Sequence, residues 1–144
     1  MANLLKQIRS RDLSLADAGR LAALSGRLGG GETEEQWRAF LQRDGAFAIG
    51  ATAEGRVVGY AAGEVRSGFG MPAPAAWVEA FGVDLEHRGE GTGRQLLGEL
   101  LRRFVAAGAA HAYTLVPLHD QVLGPFFRQH GFRDEPLECL GVVL

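Results

Sequence analysis

Apolar and polar positions alternate most regularly between residues 91 and 107 of the chain. Arginine, glutamine and glutamate occupy one side of a helical projection there, and paired apolar residues recur every fourth position on the other side: Leu96, Leu97, Leu100, Leu101, Phe104 and Val105. This spacing is typical of an amphipathic helix whose apolar stripe packs on a core. We therefore predict a helix from about Gly91 to Ala107, ended by Gly108.

Two shorter helices are predicted near the start of the chain by the residues that would cap them. Ser14 and Asp17 have the spacing of a capping box ahead of a helix over Leu15 to Leu24. Thr33 and Gln36 repeat this arrangement ahead of a second helix.

Runs of β-branched, aromatic and small apolar residues between turn signals predict the strands. They are residues 4–9, 46–52, 56–66, 75–83 and 112–116, with a further strand at 138–144. A fourth helix over residues 121–130 lies between the last two strands. The element order is β-α-α-β-β-β-α-β-α-β without a linker, so we expect one domain that spans residues 1–144.

Composition and charge narrow the functional classes. A chain of 144 residues with 47% hydrophobic residues can build one core. The formal net charge of −2 and a pI near 6.1 argue against a nucleic-acid binder, and the lack of a run of about 18 apolar residues argues against a membrane protein. The start lacks a secretion signal and Cys139 is the single cysteine, so we expect a cytoplasmic protein without disulfides. The four histidines show no helical pairing, so no metal site is expected.

The most informative segment follows the predicted strand that ends at Val83. Three glycines alternate with other residues directly before the long helix, at Gly89, Gly91 and Gly93. Glycine lets a backbone approach a ligand closely, and a helix N-terminus favours phosphate groups. Arg88 can add a full positive charge. The alternative is a turn that only tightens the connection between strand and helix; we favour an anion site.

Two familiar phosphate-binding loops do not fit this segment. A P-loop needs lysine and then serine or threonine after its last glycine, whereas Gly93 is followed by Arg94 and Gln95. The dinucleotide fingerprint G-x-G-x-x-G also fails, because Arg94 or Leu96 stands in place of its third glycine. Neither class of nucleotide-binding protein is indicated.

The segment resembles the acetyl-CoA signature of the GNAT superfamily of N-acetyltransferases. That signature has a strand ending in valine, a short acidic turn, and Arg/Gln-x-x-Gly-x-Gly/Ala opening a helix, and residues 83–97 look like it. Residues 126–132 (FFRQHGF) are similar to a later family segment, an aromatic pair followed after three residues by Gly-Phe. The order of elements also matches from Leu4 onward, so the resemblance covers nearly the whole chain.

The resemblance implies a fold and a ligand. The fold would be α/β of the α+β type, with a mixed, mostly antiparallel sheet of six to seven strands, splayed at the centre and flanked by four helices. Acetyl-CoA would be the co-substrate, with backbone amides holding its pyrophosphate and free backbone groups of the splayed strand holding its pantetheine arm. The implied coenzyme-binding residues are Phe81, Gly82, Val83, Arg88, Gly89, Glu90, Gly91, Thr92, Gly93, Arg94, Asp120 and Phe127.

Two of these positions depart from the family pattern. Asp120 stands where members often have an asparagine near the coenzyme, and its charge would weaken that contact. Phe127 stands where many members have a tyrosine that protonates the leaving thiolate, which phenylalanine cannot do. We therefore expect modest catalysis, with water or another group supplying the proton.

Glu79 is the candidate catalytic base. Strand alternation predicts that Glu79, Phe81 and Val83 share one face. A carboxylate among apolar side chains would be partly desolvated and its pKa raised, which suits a general base. Family members often carry a glutamate in this region. The alternative is a solvated glutamate on a polar strand face, and the pattern leaves both open.

The predicted reaction is direct attack of a neutral primary amine on the thioester. No covalent enzyme intermediate is expected, because Cys139 lies away from the motif. The acceptor is a small molecule or a peptide; no nucleic acid or membrane partner is expected, and a homodimer fits a family in which dimers are frequent. Two alternatives stay open: a non-catalytic acyl-CoA-binding or sensing module, and an interaction protein that keeps the fold without the ligand.

Overall fold

A computed structural model describes residues 7–66 and 74–144 of the chain. Within these ranges the chain forms five strands and four α-helices. The strands are β1 (Arg9–Asp12), β2 (Ala46–Ala53), β3 (Arg56–Arg66), β4 (Ala75–Val83) and β5 (His111–Thr114). The helices are α1 (Ala18–Arg27), α2 (Glu34–Leu41), α3 (Thr92–Ala106) and α4 (Leu123–Gln129).

The strands form one sheet in chain order, from β1 at one edge to β5 at the other. Neighbouring strands are antiparallel except β4 and β5, which are parallel because α3 crosses over between them. The predicted mixed, mostly antiparallel sheet with four helices is therefore confirmed. The predicted number of six to seven strands is not, because the described residues contain five.

Three of the predicted strands differ clearly in the structure, and one of these is β5, which covers His111–Thr114 instead of residues 112–116. Residues 138–144 are exposed and make no backbone hydrogen bond to another described residue, so the last predicted strand is absent. A strand needs a neighbour for its backbone groups, and strand propensity alone does not provide one. The first strand runs over Arg9–Asp12 instead of residues 4–9, of which residues 4–6 lie outside the described ranges.

Helices cover both faces of the sheet. On one face, α3 and α4 enclose a core whose helical members are Leu96, Leu97, Leu100, Phe104 and Phe127. On the other face, α1 and α2 enclose a second core whose largest helical members are Leu21, Leu24, Trp37 and Phe40. Among residues 7–66 and 74–144, no helix is both long and apolar enough to cross a membrane, and no three acidic, histidine or cysteine side chains form a metal-binding group.

β4 carries a β-bulge at Glu79. Ala80 lies opposite Ala62 and Val78 lies opposite Gly63, which leaves Glu79 without a partner in β3. A β-carbon on Gly63 would lie 2.1 Å from a backbone carbonyl oxygen of β4, so this close approach of the two strands requires glycine. The bulge matters for function because it reverses the faces on which later side chains of β4 lie.

The first predicted capping box is present and is reinforced by an ion pair. The Ser14 amide donates to the Asp17 carboxylate at 2.8 Å, and the Arg11 guanidinium donates to both carboxylate oxygens, also at 2.8 Å. The hydrogen bonds from Arg11 are the largest cause of a lowered pKa for Asp17. A short 3-10 turn, Leu15–Asp17, then leads into α1.

We predict that Asp17→Asn lowers the free energy of unfolding by about 1–2 kcal/mol at pH 7, because the charged, two-oxygen pairing with Arg11 is lost while asparagine keeps a single neutral acceptor oxygen. The pKa of Asp17 is lowered on folding, so its stabilisation is present above the ordinary value of 3.8 and disappears as the pH falls through the folded value. In urea unfolding, the difference from the wild type should be full at pH 7 and should shrink as the pH is lowered below 3.8. Glu34→Gln, at an exposed first-turn position of α2, is the matched control; an equal loss in both variants would contradict the assignment.

Candidate active site

β4 and β5 diverge in the middle of the sheet. They pair over four residues, from Ala75 opposite His111 to Val78 opposite Thr114. At the last pair the Thr114 hydroxyl donates to the Val78 carbonyl oxygen at 2.9 Å. Beyond this point residues 79–83, the open segment of β4, have no strand on that side. The sheet thus has the predicted splay, and an extended ligand can bind the free backbone groups there as an added strand.

Aromatic side chains pack against one face of the open segment. Phe81 stacks on Phe126 of α4 with ring centroids 4.9 Å apart, and it meets Phe127 edge-on at 5.6 Å. A β-carbon on Gly93 would lie 3.2 Å from the Phe126 ring, so the start of α3 rests directly on this aromatic group. Phe126 was not among the predicted site residues, although it belongs to the aromatic pair noted in the sequence.

The glycine turn leaves hydrogen-bond donors without partners. Gly89 and Gly91 have φ angles of 80° and 82°, in the left-handed region that glycine adopts without strain. The Gln95 amide makes the first helical bond of α3, to the Gly91 carbonyl at 3.0 Å, so the amides of residues 92–94 have no partner within the helix. The buried Thr92 hydroxyl also has no partner among the described residues. An anion with several oxygens can accept hydrogen bonds from these backbone amides, whereas the Thr92 hydroxyl is buried beneath the surface of the turn.

Two arginine side chains make hydrogen bonds next to this turn, Arg27 with Asp84 and Arg88 with Val83. The buried Asp84 carboxylate lies 3.1 Å from the Arg27 guanidinium, and the Asp84 amide donates to the Val58 carbonyl at 2.8 Å. Nε of Arg88 donates to the Val83 carbonyl at 3.0 Å. The Val83 carbonyl, predicted to be free for the coenzyme, is therefore occupied, and Arg88 has only its two terminal nitrogens left for an anion.

A cavity of about 510 Å³ adjoins the turn at the start of α3. Its wall includes Gly91, Arg94, Arg102 and His130, whereas Glu90 is exposed at the turn itself. Arg102 and His130 line this cavity and were not among the predicted site residues. Helical spacing could have identified Arg102, because it lies eight residues after Arg94 and so on the same face of α3. His130 has no such signal, since its place depends on how α4 packs.

Glu79 does not share a face with Phe81 and Val83, so that prediction is wrong. Phe81 and Val83 pack in the core under α3, whereas the Glu79 carboxylate pairs with the Arg66 guanidinium and lies 3.7 Å from that of Arg43 on the opposite face. The bulge at Glu79 causes this reversal. The carboxylate is thus ion-paired rather than set among apolar side chains, and it stands where β4 and β5 diverge.

Asp120 and Phe127 both lie beside β5. The Asp120 carboxylate accepts hydrogen bonds from the Val122 and Leu123 amides at 2.8 and 2.6 Å, and so it caps the start of α4. The Phe127 side chain is buried in the core under α3 and packs against Phe132 at 5.0 Å. Both residues line a cavity of about 1120 Å³ between β5 and the C-terminal residues.

The sequence matches the model of the acetyltransferase (GNAT) family over residues 17–132, which is most of the chain. This chain belongs to the GNAT acetyltransferase family. It is therefore an N-acetyltransferase that transfers an acetyl group to an amine, and acetyl-CoA is its co-substrate. A search of curated protein sequences found no match to it.

Solved GNAT structures share the fold over nearly the whole chain. The aminoglycoside N-acetyltransferase AAC(6')-Iy in complex with CoA is 17% identical, with a TM-score of 0.83 over 96% of this chain and 95% of that chain. An aminoglycoside acetyltransferase from an uncultured soil metagenomic sample, in complex with sisomicin, is 15% identical, with a TM-score of 0.78 over 100% and 99%. The ribosomal-protein-alanine N-acetyltransferase from Brucella melitensis biovar Abortus 2308 is 19% identical, with a TM-score of 0.77 over 96% and 100%. At such identities the likeness shows the fold alone.

The opposite face of the open segment carries a buried phenol in this GNAT domain. Tyr60 lies opposite Gly82, and a β-carbon on Gly82 would be 2.9 Å from the phenolic oxygen. Burial raises the pKa of Tyr60; the hydrogen bond with Ser25 opposes this effect, and the charge of Glu32 adds to it. Ser25 in turn donates to the Glu32 carboxylate. These bonds tie the loop after α1 to the middle of the sheet.

We predict that Gly91→Ala weakens acetyl-CoA binding, measured by calorimetry, far more than Gly108→Ala does. Both glycines have left-handed φ angles, 82° and 92°, and a β-carbon on either meets no atom within 4 Å. The backbone strain is therefore similar, about 1–2 kcal/mol in each variant. Only Gly91 lies in the turn with free amides, whereas Gly108 follows the far end of α3. Equal affinities in the two folded variants would remove the turn from the coenzyme site.

Proposed function

We propose that this GNAT enzyme acetylates a primary amine of a small polar molecule by direct attack on the thioester of acetyl-CoA. The observation that carries the proposal is the open segment of β4, which runs from the point of divergence at Glu79 to the turn with unpaired donors. A slot of this kind suits an extended ligand that has an anionic group at one end and a reactive group at the other.

The coenzyme would lie with its pyrophosphate on the turn. Amides between Arg88 and Arg94 would donate to the phosphate oxygens, and the left-handed glycines let the backbone come close. Backbone groups of Phe81 and Gly82 would hold the pantetheine arm. Phe127 would back this arm through its contact with Phe81, whereas Asp120 would act mainly as the cap of α4.

Glu79 is proposed to accept the proton of the amine, directly or through water. With the pyrophosphate on the turn, the thioester would reach the other end of the open segment, where Glu79 stands. The amine nitrogen forms a bond to the carbonyl carbon, the carbon–sulfur bond breaks, and one proton leaves the nitrogen. Arg43 and Arg66 fix the position of the carboxylate. The ionised Glu79 carboxylate is the form that accepts a proton.

The leaving thiolate would take its proton from water. Phe127 has no proton to give, and neither tyrosine of the chain, Tyr60 or Tyr113, stands at its position. A thiol pKa of about 8.5 makes the thiolate a tolerable leaving group near neutral pH. The reaction is therefore proposed to proceed at a modest rate without a general acid.

The acceptor is proposed to be a small cationic amine that approaches from the side of α1 and α2. Aromatic rings fill the other face of the open segment. Glu32 in the loop after α1, with Glu34 and Glu35 in the first turn of α2, favours a cation on this side. The structurally similar enzyme in complex with sisomicin supports a small-molecule acceptor. The similarity to a ribosomal-protein-alanine N-acetyltransferase makes a peptide amine the second candidate.

We also propose a cytoplasmic location and a homodimeric assembly for the enzyme. The single cysteine, Cys139, is exposed and forms no disulfide within the chain, which fits a reducing compartment. The outer edge of β5 pairs with no described strand, which favours association.

The test is release of the CoA thiol in the presence of sisomicin, spermidine or an alanyl peptide. We expect release that depends on the amine and is largest with the small cationic amines. Coenzyme binding without thiol release for any acceptor would indicate a non-catalytic acyl-CoA-binding module. Release with the alanyl peptide alone would favour the second candidate, a peptide amine.

Glu79→Gln should lower kcat by at least about 10²-fold, with the Kd of acetyl-CoA unchanged, because the proton acceptor is lost. Glu64→Gln is the matched control: Glu64 contacts the same two arginines, Arg43 at 3.2 Å and Arg66 at 2.8 Å, but it lies on β3. Equal losses of kcat in the two variants would show that the charge cluster is structural and that Glu79 is not the base.

Phe127→Tyr should raise kcat by less than about 10²-fold and leave coenzyme affinity unchanged, because a general acid helps a thiolate less than other leaving groups. Its pH–rate profile should gain a falling limb near pH 10, as the new phenol ionises. Phe126→Tyr, on the neighbouring ring, is the control, and thermal unfolding checks both folds. A profile and kcat identical to the wild type would place the leaving sulfur away from Phe127.

A further inference from the structure

The cavity of about 510 Å³ at the start of α3, here called the α3 cavity, has a partly cationic wall without an acid. Arg94 and Arg102 of α3 contribute to it, and so does His130, which follows the end of α4. The remaining members of the wall are uncharged: Gly91, Gln95, Leu97, Gly98 and Leu101. The α3 cavity therefore has a positive charge that no carboxylate in its wall balances, and such a site attracts anions.

Four arginines lie on α3 and α4, and the two that line the α3 cavity are the two without a carboxylate partner. Arg103 of α3 and Arg128 of α4 each lie 2.8 Å from a carboxylate oxygen. Among residues 7–66 and 74–144, neither Arg94 nor Arg102 makes an ion pair. The charges of Arg94 and Arg102 are thus available for an anion from solution.

The Arg102 side chain points back toward the glycine turn. A β-carbon on Gly98 would lie 3.5 Å from Nη1 of Arg102, so the guanidinium lies over the helical turn that precedes it. Side chains on helices commonly lean in this direction. Arg94 lies nearer the start of α3, and the lean of Arg102 brings the two charges closer together. Like charges that converge on one cavity repel each other, and a bound anion offsets this repulsion.

His130 is held beside the glycine turn by the aromatic side chains at the open segment. Its ring centroid lies 4.6 Å from that of Phe126, and the Phe126 ring stacks on Phe81 of β4 at 4.9 Å. The His130 amide also donates to the Phe127 carbonyl at 3.0 Å. Gly91 belongs both to the glycine turn and to the wall of the α3 cavity. The cavity therefore adjoins the surface proposed for the coenzyme.

We propose that Arg94, Arg102 and His130 bind the phosphate monoester at the 3′ position of the ribose of acetyl-CoA, and so make the enzyme selective for coenzymes that carry this group. The inference rests on the proposed placement of the pyrophosphate on the glycine turn. One ribose separates the pyrophosphate from the ribose phosphate, so the two groups need neighbouring sites. The amides of the turn suit the pyrophosphate, and the side chains of the α3 cavity suit the ribose phosphate.

The chemistry of these three side chains fits a phosphate monoester. Such a group carries about two negative charges near pH 7. A guanidinium presents N–H donors in a planar fork that matches phosphate oxygens, and an imidazole N–H adds a further donor. Arg94 and Arg102 lie on one helix and His130 at the end of another, so the phosphate would be enclosed between α3 and α4.

The test compares the binding of CoA and of dephospho-CoA, which lacks the ribose phosphate, by calorimetry without an acceptor. For the wild type we expect the Kd of dephospho-CoA to be at least about 10-fold higher, because the charge-assisted hydrogen bonds to the ribose phosphate are missing. Arg102→Gln should lower this ratio by at least about 5-fold through weaker binding of CoA, with the Kd of dephospho-CoA unchanged.

Arg103→Gln is the matched control, because Arg103 is the next residue of α3 and pairs with Asp12 instead of lining the cavity. It should keep the wild-type ratio. Equal affinities of the wild type for the two ligands would overturn the proposal, and so would an undiminished ratio in Arg102→Gln. Binding of neither ligand would also overturn the placement of the pyrophosphate on the turn. Thiol release does not enter the ratio, so failure of the proposed reaction would be recognised separately.

Discussion

Backbone amides and carbonyls in the middle of a β-sheet need hydrogen-bond partners, and residues 79–83 of β4 have none on the side of β5. The protein closes the two ends of this gap with side chains. The Thr114 hydroxyl binds the Val78 carbonyl where the strands diverge, and the Arg88 guanidinium binds the Val83 carbonyl where β4 ends. Between these two points the groups stay open. A ligand that lies along this segment would complete the sheet, which is the physical reason for proposing that the coenzyme binds there.

The bulge at Glu79 lets one strand serve two different surfaces. An extra residue in a strand turns every later side chain to the other face. Phe81 therefore joins the aromatic group under α3, whereas the Glu79 carboxylate turns toward Arg43 and Arg66 on the side of α2. This arrangement depends on Gly63, since any β-carbon there would collide with a carbonyl of β4. One glycine thereby separates the surface proposed for the coenzyme from the one proposed for the acceptor.

The elements whose bounds were predicted well are those with long and regular patterns of apolar residues. The bounds of β3 and β4 agree with the prediction, and α3 differs by one residue at each end, because their apolar patterns are long and regular. The side of β4 on which Glu79 lies was predicted wrongly, since a bulge arises from contact with Gly63 far away in the chain. The tail at 138–144 was predicted to be a strand from residue propensities alone. Whether a segment forms a strand depends on hydrogen bonds to a neighbouring strand, which propensity does not predict. His130 contacts Phe126 of α4, and it enters the site only because that ring packs on Phe81 of β4.

The charge distribution explains how a chain with a net charge of −2 can hold a polyanionic coenzyme. Near the turn, two of the arginines are used for structure, Arg27 on the buried Asp84 and Arg88 on the Val83 carbonyl. The anion would then be held chiefly by backbone amides, whose effect is confined to the first turn of α3. Such short-range donors need no excess of positive charge elsewhere. Composition therefore argues against binding of long polyanions through extended basic surfaces, and it is compatible with binding of one compact phosphate group at a helix terminus.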